Sequence, residues 1–397
     1  MKEKFAQRME GVKPSAIREL FKLAAASPDM ISFGGGYPDP DLFPTEQLSC
    51  VIQEVLRAQG RLALQYGTSE GIPQLRAKIA SRMKRAGIQC PDDGILITTG
   101  GQQGLSLMAK LLIDKGDVII TESPTYLGAL IAFNVYQPRY ACVPMDSQGM
   151  NMDALEAALK ANRNAKFIYT IPEFQNPMGV SMPLERRRRL YELAQEYDVM
   201  VLEDSPYREI RFEGQAQPAI KSFDTDGRVV HLGSFSKVLS PGMRLGWAAA
   251  SPEIARRLAM LKTAEDSQSS TLMVYAANAF MDMYDLDAHI QKIRAAYKEK
   301  KDLMLSCMER EFPEGTSWTN PEGGLFTWLT VPPSADTEEL MRTRVIPAGV
   351  AYVPGAPFYP ENPEHNHARM NYSCMSREKI IEGIARLGKV LRSIQHR

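Results

Sequence analysis

The chain has 397 residues, and its 47 Lys and Arg side chains balance 47 Asp and Glu side chains, so the formal net charge is zero. This length is too great for one simple core and predicts two unequal domains. A balanced charge gives no field that would recruit nucleic acid or a membrane surface. No apolar run is long enough to cross a bilayer, and Met1–Gln7 lacks a basic and apolar leader.

The cysteines and histidines indicate the cellular compartment and whether a metal is bound. The five cysteines are odd in number, and none stands in a Cys-x-x-Cys spacing. We therefore expect reduced thiols and a cytoplasmic protein. His365 and His367 lie close in sequence but have no matching carboxylate or cysteine spacing, so we expect an exposed loop there and no metal.

Turn-forming residues divide the chain into three parts. Glycines at 34 to 36 and prolines at 38, 40 and 44 predict that residues 1–45 form a helix and an extended arm, which joins the smaller domain. Residues 46–284 alternate strand and helix patterns and form the predicted large domain. A long helical pattern over 286–305 then opens the predicted small domain, residues 285–397.

Apolar runs in the large domain have the length and composition of buried strands. They are Gly94–Thr98, Asp117–Thr121, Lys166–Ile171, Asp198–Leu202 and Val229–Leu232. Runs of this kind, alternating with helices, are typical of a parallel sheet that is covered on both faces. Ligands of such sheets bind beyond the carboxyl ends of the strands, and each run here leads into polar or glycine-rich sequence. We therefore predict an α/β fold with one shared crevice.

Lys237 is the most informative residue in that crevice. It lies in Gly233-Ser-Phe-Ser-Lys-Val-Leu-Ser-Pro-Gly-Met-Arg-Leu-Gly-Trp247, directly after the last apolar run. Several hydroxyls surround the amine, and Arg244 follows a Pro-Gly turn. Such a lysine is equipped to hold an anionic aldehyde as a Schiff base, although this run alone is equally compatible with a surface loop.

The same run, together with motifs elsewhere, resembles the fold-type I pyridoxal-phosphate (PLP) enzymes of aminotransferase class I/II over almost the whole chain. The closest likeness is to the 2-aminoadipate and kynurenine aminotransferase branch. It rests on Ile31-Ser-Phe-Gly-Gly-Gly-Tyr-Pro-Asp-Pro-Asp-Leu-Phe-Pro44, Gln65-Tyr-Gly-Thr-Ser-Glu-Gly-Ile-Pro73 and Phe174-Gln-Asn-Pro177. The resemblance implies a large domain with a mostly parallel seven-stranded sheet flanked by helices, and a smaller α+β domain.

The resemblance assigns Lys237 and Asp204 to opposite ends of the cofactor. Burial and nearby positive charge should lower the pKa of the lysine, so that its amine is free to attack a carbonyl. PLP withdraws electrons only while its pyridine nitrogen stays protonated, which requires a carboxylate partner. Asp204, at the end of a predicted buried strand, fits that role. Without Lys237 downstream, an Asp before Ser-Pro would be interpreted as a helix N-cap.

The resemblance also assigns the other cofactor contacts, at positions that match those of the family. Asn176 and Tyr207 correspond to residues that bind the phenolic oxygen of the ring, and Tyr126 to the aromatic residue that stacks on it. On its own, Tyr126 would be interpreted as core packing. For the phosphate, we expect backbone amides of Gly101, Gln102 and Gln103 at a helix N-terminus. Ser234, Ser236 and Arg244 would close this cup, which lacks the Gly-Lys-Ser/Thr ending of a nucleotide P-loop.

Substrate recognition is assigned to other positions. Arg369, in Ala368-Arg-Met-Asn-Tyr-Ser373, matches the arginine that clamps the substrate α-carboxylate through its bidentate fork, with Gly36 and Asn176 beside it. Arg18 resembles an arginine that binds a distal carboxylate, and an exposed helix position explains it equally well. Tyr66 resembles the tyrosine that a neighbouring subunit lends to the phosphate, which implies a homodimer.

The predicted reaction is a ping-pong amino transfer from an L-amino acid to a 2-oxo acid, with 2-oxoglutarate as the expected acceptor and pyridoxamine phosphate (PMP) as the intermediate cofactor form. The donor is left open between 2-aminoadipate, aromatic and branched-chain amino acids. Alternatives are a PLP-dependent lyase, racemase or decarboxylase on the same fold, and a non-catalytic PLP-binding regulator.

Two residues depart from the family pattern, and one run of the chain is strongly basic. Met178 stands where threonine commonly follows Asn-Pro, and Glu173 is an unexpected acid near an anionic cofactor unless it points to solvent. Arg186–Arg189 lie in a helical pattern that ends near Tyr197, and we interpret them as a solvated face rather than a nucleic-acid site.

Overall fold

The computed structural model describes residues 4–11 and 29–394. In chain order the strands are β1 (Ile31–Ser32), β2 (Ile95–Thr98), β3 (Val118–Ser123), β4 (Arg139–Asp146), β5 (Gly149–Met150), β6 (Phe167–Thr170), β7 (Met200–Asp204), β8 (Val229–Ser234), β9 (Gly246–Ala249), β10 (Ser317–Trp318), β11 (Phe326–Thr330), β12 (Val350–Ala351), β13 (Val353–Pro354) and β14 (His367–Asn371).

The main sheet has eight strands in the order β2-β9-β8-β7-β6-β3-β4-β5. Strands β8, β7, β6, β3 and β4 run parallel, whereas β9 runs antiparallel to both of its neighbours. The predicted α/β class and mostly parallel sheet are confirmed, and the apolar runs form β2, β3, β6, β7 and β8. The strand beyond the expected seven is the two-residue β5, which turns back on the edge strand β4.

Helices cover the sheet. They are α1 (Thr45–Ala63), α2 (Pro73–Arg85), α3 (Gly101–Leu112), α4 (Leu127–Asn134), α5 (Met152–Ala161), α6 (Leu184–Glu196), α7 (Pro252–Glu265), α8 (Thr271–Met283), α9 (Leu286–Glu311), α10 (Thr337–Leu340) and α11 (Arg377–Arg392). Each predicted helical pattern in the described part forms a helix. Within residues 4–11 and 29–394, none of the helices has the length and apolar character needed to cross a membrane.

A second, antiparallel sheet in the order β10-β11-β14-β13 lies in the C-terminal part, where α9 packs on α11. The arm after residue 29 reaches this part, because β1 pairs in parallel with β12. Helix α8 ends at Met283 and α9 begins at Leu286. The three-part division at residues 45 and 284 stays a prediction, and most of the predicted N-terminal helix falls outside the described residues.

Arg187 and Glu173 correct two expectations. The side chain of Arg187 is completely buried rather than part of a solvated face, and its Nη1 donates to Glu173 Oε1 at 2.6 Å. Glu173 points inward instead of towards solvent, and it also accepts hydrogen bonds from Arg208 and Ser205. The two guanidinium groups hold the pKa of Glu173 at about 2, even though burial alone would raise it. The basic run therefore contains one residue that stabilises the interior.

We expect Arg187→Met to lower the free energy of unfolding by roughly 3–5 kcal/mol, because it removes one partner of a buried ion pair. Urea unfolding followed by circular dichroism would measure the loss. Arg188→Met, at the exposed neighbouring position, is the matched control and should change stability by no more than about 0.5 kcal/mol. Equal effects of the two substitutions would contradict the structural role of Arg187.

Candidate active site

A cavity of about 640 Å³ lies at the carboxyl ends of the parallel strands, and strands of the second sheet close its far side. The predicted residues that line it are Gly36, Gly101, Gln102, Tyr126, Asn176, Asp204, Tyr207, Ser234, Ser236, Lys237, Arg244 and Arg369. Ligand sites for compact cofactors have volumes in the range of about 300–1,000 Å³. The tertiary structure thus gathers residues separated by more than three hundred positions in sequence around one space.

Lys237 projects into this cavity just beyond β8. Its Nζ donates a hydrogen bond to the carbonyl oxygen of Gly36 at 2.9 Å. Burial lowers the pKa of the amine to about 8, with further contributions from the positive charges of Arg369 and Arg244. About a tenth of the amine is therefore neutral at pH 7, far more than for an ordinary lysine. A neutral amine is the form that attacks a carbonyl.

Asp204, the last residue of β7, is only 4% exposed and has one side-chain hydrogen bond, from the hydroxyl of Tyr169 at 2.9 Å. Burial raises the pKa of its carboxyl to about 6. Within the described residues, no Lys, Arg or His forms an ion pair with it. A buried carboxylate without a cation is costly, so a cationic ligand group beside Asp204 would relieve that cost.

Gly100 and Gly101 shape the opposite wall, where β2 leads into α3. Gly100 has φ 82°, and a Cβ there would lie 2.6 Å from Nη2 of Arg244. A Cβ on Gly101 would meet nothing within 4 Å, which leaves the N-terminus of α3 open to the cavity. Glycine therefore lets the Arg244 guanidinium approach the positive end of the helix, as an anion-binding cup requires.

Gln103 does not face this cup. Its backbone amide donates to the carbonyl of Gly100 at 3.2 Å. The side-chain oxygen accepts from the amide of Thr99 and from Lys262 Nζ, each at 2.8 Å, and the side-chain nitrogen donates to Asp266. The structure thus assigns Gln103 to bracing the glycine turn from behind, because the first turn of α3 directs this side chain away from the cavity.

Arg369, on β14, connects the second sheet to the first. Its Nη1 donates to Asn176 Oδ1 at 2.9 Å, and Asn176 Nδ2 donates to the hydroxyl of Tyr207 at 3.3 Å. The guanidinium carbon lies 4.2 Å from the ring centroid of Phe326. No carboxylate pairs with Arg369 in the part of the chain that the structure describes, and burial lowers its pKa to about 10. Its charge is therefore available to an incoming carboxylate.

Two predicted residues lie elsewhere. Tyr66 is 84% exposed and does not line the cavity of its own chain. Arg18 lies outside the described residues.

Comparisons with known proteins agree with this geometry. The family model for aminotransferase class I and II matches residues 28–387. The chain belongs to the class I and II aminotransferases. It is 43% identical to aromatic-amino-acid aminotransferase 1 of Thermococcus litoralis, over 98% of this chain and 94% of that protein.

Solved structures support the same assignment. Kynurenine aminotransferase of Pyrococcus horikoshii, in complex with PMP, superposes with a TM-score of 0.95 at 41% identity, covering 99% of this chain and 98% of the other. The α-aminoadipate aminotransferase of Thermus thermophilus, complexed with N-(5'-phosphopyridoxyl)-L-leucine, gives 0.92 at 36% identity, covering 100% and 99%. The protein is thus a PLP-dependent aminotransferase of fold type I.

The cavity of this aminotransferase fits its cofactor. Asp204 lacks a cation, as expected beside a protonated pyridine nitrogen, and the Gly100–Gly101 turn with Arg244 offers donors and positive charge to a phosphate. Lys237 lines the same cavity and has a lowered pKa. The ring nitrogen, the phosphate and the aldehyde of PLP would each therefore meet groups in this cavity that complement their charge or reactivity.

Glu122 supports the site from behind the cavity lining, and the sequence did not assign it this role. It is buried, and its carboxylate accepts from Thr170 Oγ1 at 2.5 Å, from the amide of Ile171 at 3.2 Å and from Gln175 Nε2 at 2.9 Å. Burial raises the pKa of Glu122 to about 7. These bonds tie the end of β3 to the loop that carries Asn176. Its position, an acid directly after a predicted strand, was the available signal.

The lowered pKa of Lys237 predicts how its reactivity depends on pH. In the cofactor-free enzyme, reductive methylation of Lys237 should increase through a midpoint near pH 8, because only the neutral amine reacts. Arg244→Gln removes a positive charge, so the charged amine becomes less unfavourable and the midpoint should move to higher pH. Mass spectrometry of the labelled peptide gives the midpoint. Arg188→Gln, on the exposed face of α6, should leave it unchanged, and a parent midpoint near that of free lysine would contradict the assignment.

Proposed function

We propose that this aminotransferase transfers the amino group of aromatic or large apolar L-amino acids to a 2-oxo acid, with 2-oxoglutarate as the acceptor. The observation that carries the proposal is the lining of the cavity, in which apolar and aromatic side chains accompany Arg369. They are Tyr37, Leu127, Ile131, Phe326, Val353 and Phe358. The relatives named for aromatic amino acids and for kynurenine support the same donor class.

The roles of the site residues follow from their positions. Lys237 would hold the cofactor aldehyde, Asp204 the ring nitrogen, and Asn176 and Tyr207 the phenolic oxygen, while Tyr126 would stack on the ring. The phosphate would lie between the amides of Gly101 and Gln102 on one side and Ser234, Ser236 and Arg244 on the other. When bound, PLP supplies the electron withdrawal that stabilises negative charge at the substrate Cα.

The chain's own residues then bind the substrate and move its proton. Arg369 would clamp the α-carboxylate with both terminal nitrogens, which orients the Cα–H bond towards Lys237. With a pKa of about 8, Lys237 Nζ is basic enough to take that proton and acidic enough to return it. Phe326 and Phe358 lie 4.2 and 5.2 Å from the Arg369 guanidinium and exclude water from it. Gly36 lies at the same wall and leaves room for the substrate.

A second candidate donor is 2-aminoadipate, which the Thermus thermophilus relative supports. Its distal carboxylate needs a cation. In the described part of the cavity lining the cations are Lys237, Arg244 and Arg369, and each already has a role. A preference for acidic donors would therefore depend on Arg18, and so would tight binding of the distal carboxylate of the acceptor 2-oxoglutarate.

An amino-donor screen with 2-oxoglutarate tests the function. We expect phenylalanine, tyrosine and leucine to give higher kcat/KM values than 2-aminoadipate, because a buried uncompensated carboxylate costs more than an apolar contact gains. Lys237→Ala should lose amino transfer with every donor. Transfer at the parent rate in that variant, or release of pyruvate and ammonia without an acceptor, would refute the proposal.

Arg18→Ala serves as the companion variant in the same screen. If the kcat/KM ratio of acidic to apolar donors is unchanged, Arg18 has no part in recognition. A fall confined to 2-aminoadipate would instead establish the acidic donor as the second substrate.

We also propose a homodimer in which Tyr66 reaches the cofactor phosphate of the other subunit. Leu62, Leu64 and Tyr66 are 59%, 71% and 84% exposed. Met260, on α7, is 73% exposed. The two segments are neighbours, because the hydroxyls of Ser69 and Thr263 are 2.8 Å apart. An exposed apolar surface of this kind is typical of a protein interface.

Mixed dimers distinguish donation across the interface from a role within one chain. We expect Tyr66→Ala and Lys237→Ala each to reduce activity as homodimers. A mixed dimer of the two would contain one complete site if Tyr66 acts on the partner, so about half of the parent activity per dimer should return. If Tyr66 serves its own chain, both sites of the mixed dimer stay defective. Differently tagged chains allow the mixed species to be purified and assayed.

A cytoplasmic location is part of the proposal. All five cysteines are free thiols, which agrees with a reducing compartment.

A further inference from the structure

A second cavity, of about 450 Å³, lies outside the active site between the segment after Tyr207 and helix α9. Its charged lining residues are Arg208, Arg211, Arg294 and Lys298, and no carboxylate contributes to the lining. The two cavities share no lining residue. Four cations around one space repel one another unless an anion or carboxylate neutralises them.

Arg294 is the clearest sign of a missing anion. Its Nε donates to the backbone carbonyl of Glu209 at 2.7 Å, and no carboxylate pairs with it among residues 4–11 and 29–394. Burial keeps the pKa of Arg294 below its ordinary value, although the negative charges of Glu209 and Asp287 act in the opposite direction. Those two carboxylates already form ion pairs with Arg82 and Arg85. The guanidinium is thus half-buried without a carboxylate of its own in the described chain.

The carboxylates nearby do not balance the cluster. Glu173 is shared between Arg208 and Arg187, which leaves one positive charge over. Arg294 contributes a second.

The remaining cations of the lining are paired. Arg211 has Glu322 as its partner. Lys298, together with the adjacent Lys301, is balanced by Glu213 and Asp302. The surplus around the cavity is therefore two positive charges.

We propose that this cavity binds a small dianion, a phosphate or a short dicarboxylate, at a site separate from the catalytic one. Arginine forks and a lysine are the groups that bind such anions. Gln291, on the same face of α9, adds an amide donor.

The bound dianion would also brace the active site. Arg208 follows Tyr207, and the backbone of Arg211 bridges to Gly323, shortly before β11 delivers Phe326 beneath Arg369. An anion between this segment and α9 holds the segment in place. The site does not depend on the proposed donor, so failure of either proposal leaves the other intact.

Isothermal titration of the PLP-loaded enzyme at low ionic strength tests the site, because the catalytic phosphate cup is then already filled. Succinate bound at Arg369 in the active site would be recognised because Gln291→Glu does not weaken it. Inorganic phosphate and succinate are the two probes. We expect Gln291→Glu to weaken binding at least about tenfold, since it places a carboxylate in the lining without removing a cation. Gln53→Glu, an exposed position on α1, makes the same charge change away from the cavity and should alter affinity less than about twofold.

Each outcome decides the proposal. Binding of phosphate, of succinate or of both that Gln291→Glu weakens and Gln53→Glu does not would support it, and the probe that binds identifies the anion class. Lys298→Ala, a half-exposed position, should weaken the same binding severalfold. The absence of saturable binding at millimolar concentrations, or equal binding by the parent and Gln291→Glu, would overturn it.

Discussion

The active site depends on buried charges for which the chain provides no counter-ion. Among the described residues, Asp204 has no cation and Arg369, which packs against the rings of Phe326 and Phe358, has no carboxylate. Each charge weakens the folded protein by itself, because an unpaired buried ion loses its hydration. Both become favourable when cofactor and substrate bring the opposite charges. The fold thus holds these charges in place before binding, and the ligands gain binding free energy by neutralising them.

Buried positive charges also set the pKa of Lys237. Burial, Arg369 on β14 of the second sheet and Arg244 in the turn before β9 of the main sheet together hold the pKa of its amine near 8. Glu122 and Gln175 connect the Asn176 loop to the end of β3, and Asn176 in turn accepts the hydrogen bond from Arg369. The chemistry thus needs both sheets to be in place, since neither supplies the whole set of charges.

Much of the large domain could be predicted from local pattern. The buried parallel strands are continuous apolar runs, and the Lys237 motif follows the last of them. Strand β4 was not predicted because it is half-exposed and of mixed composition, next to the short outermost strand β5. Strand β9 was not predicted because it begins within the motif, just after Arg244. Arg187 and Glu173 were misjudged for a related reason: a charged residue is expected at the surface unless its partner is known, and the partners are fourteen residues apart in sequence.

The sequence by itself determined the class of fold, the lysine that bears the chemistry and the family, because these depend on short contiguous patterns. Only the tertiary structure decided that Gln103 faces away from the cavity, that Glu122 braces the Asn176 loop, and that four cations meet around a second cavity. These facts depend on side-chain direction and on contacts between elements distant in the chain. Hydrophobic periodicity specifies which face of an element is buried, but it does not specify which charges meet there.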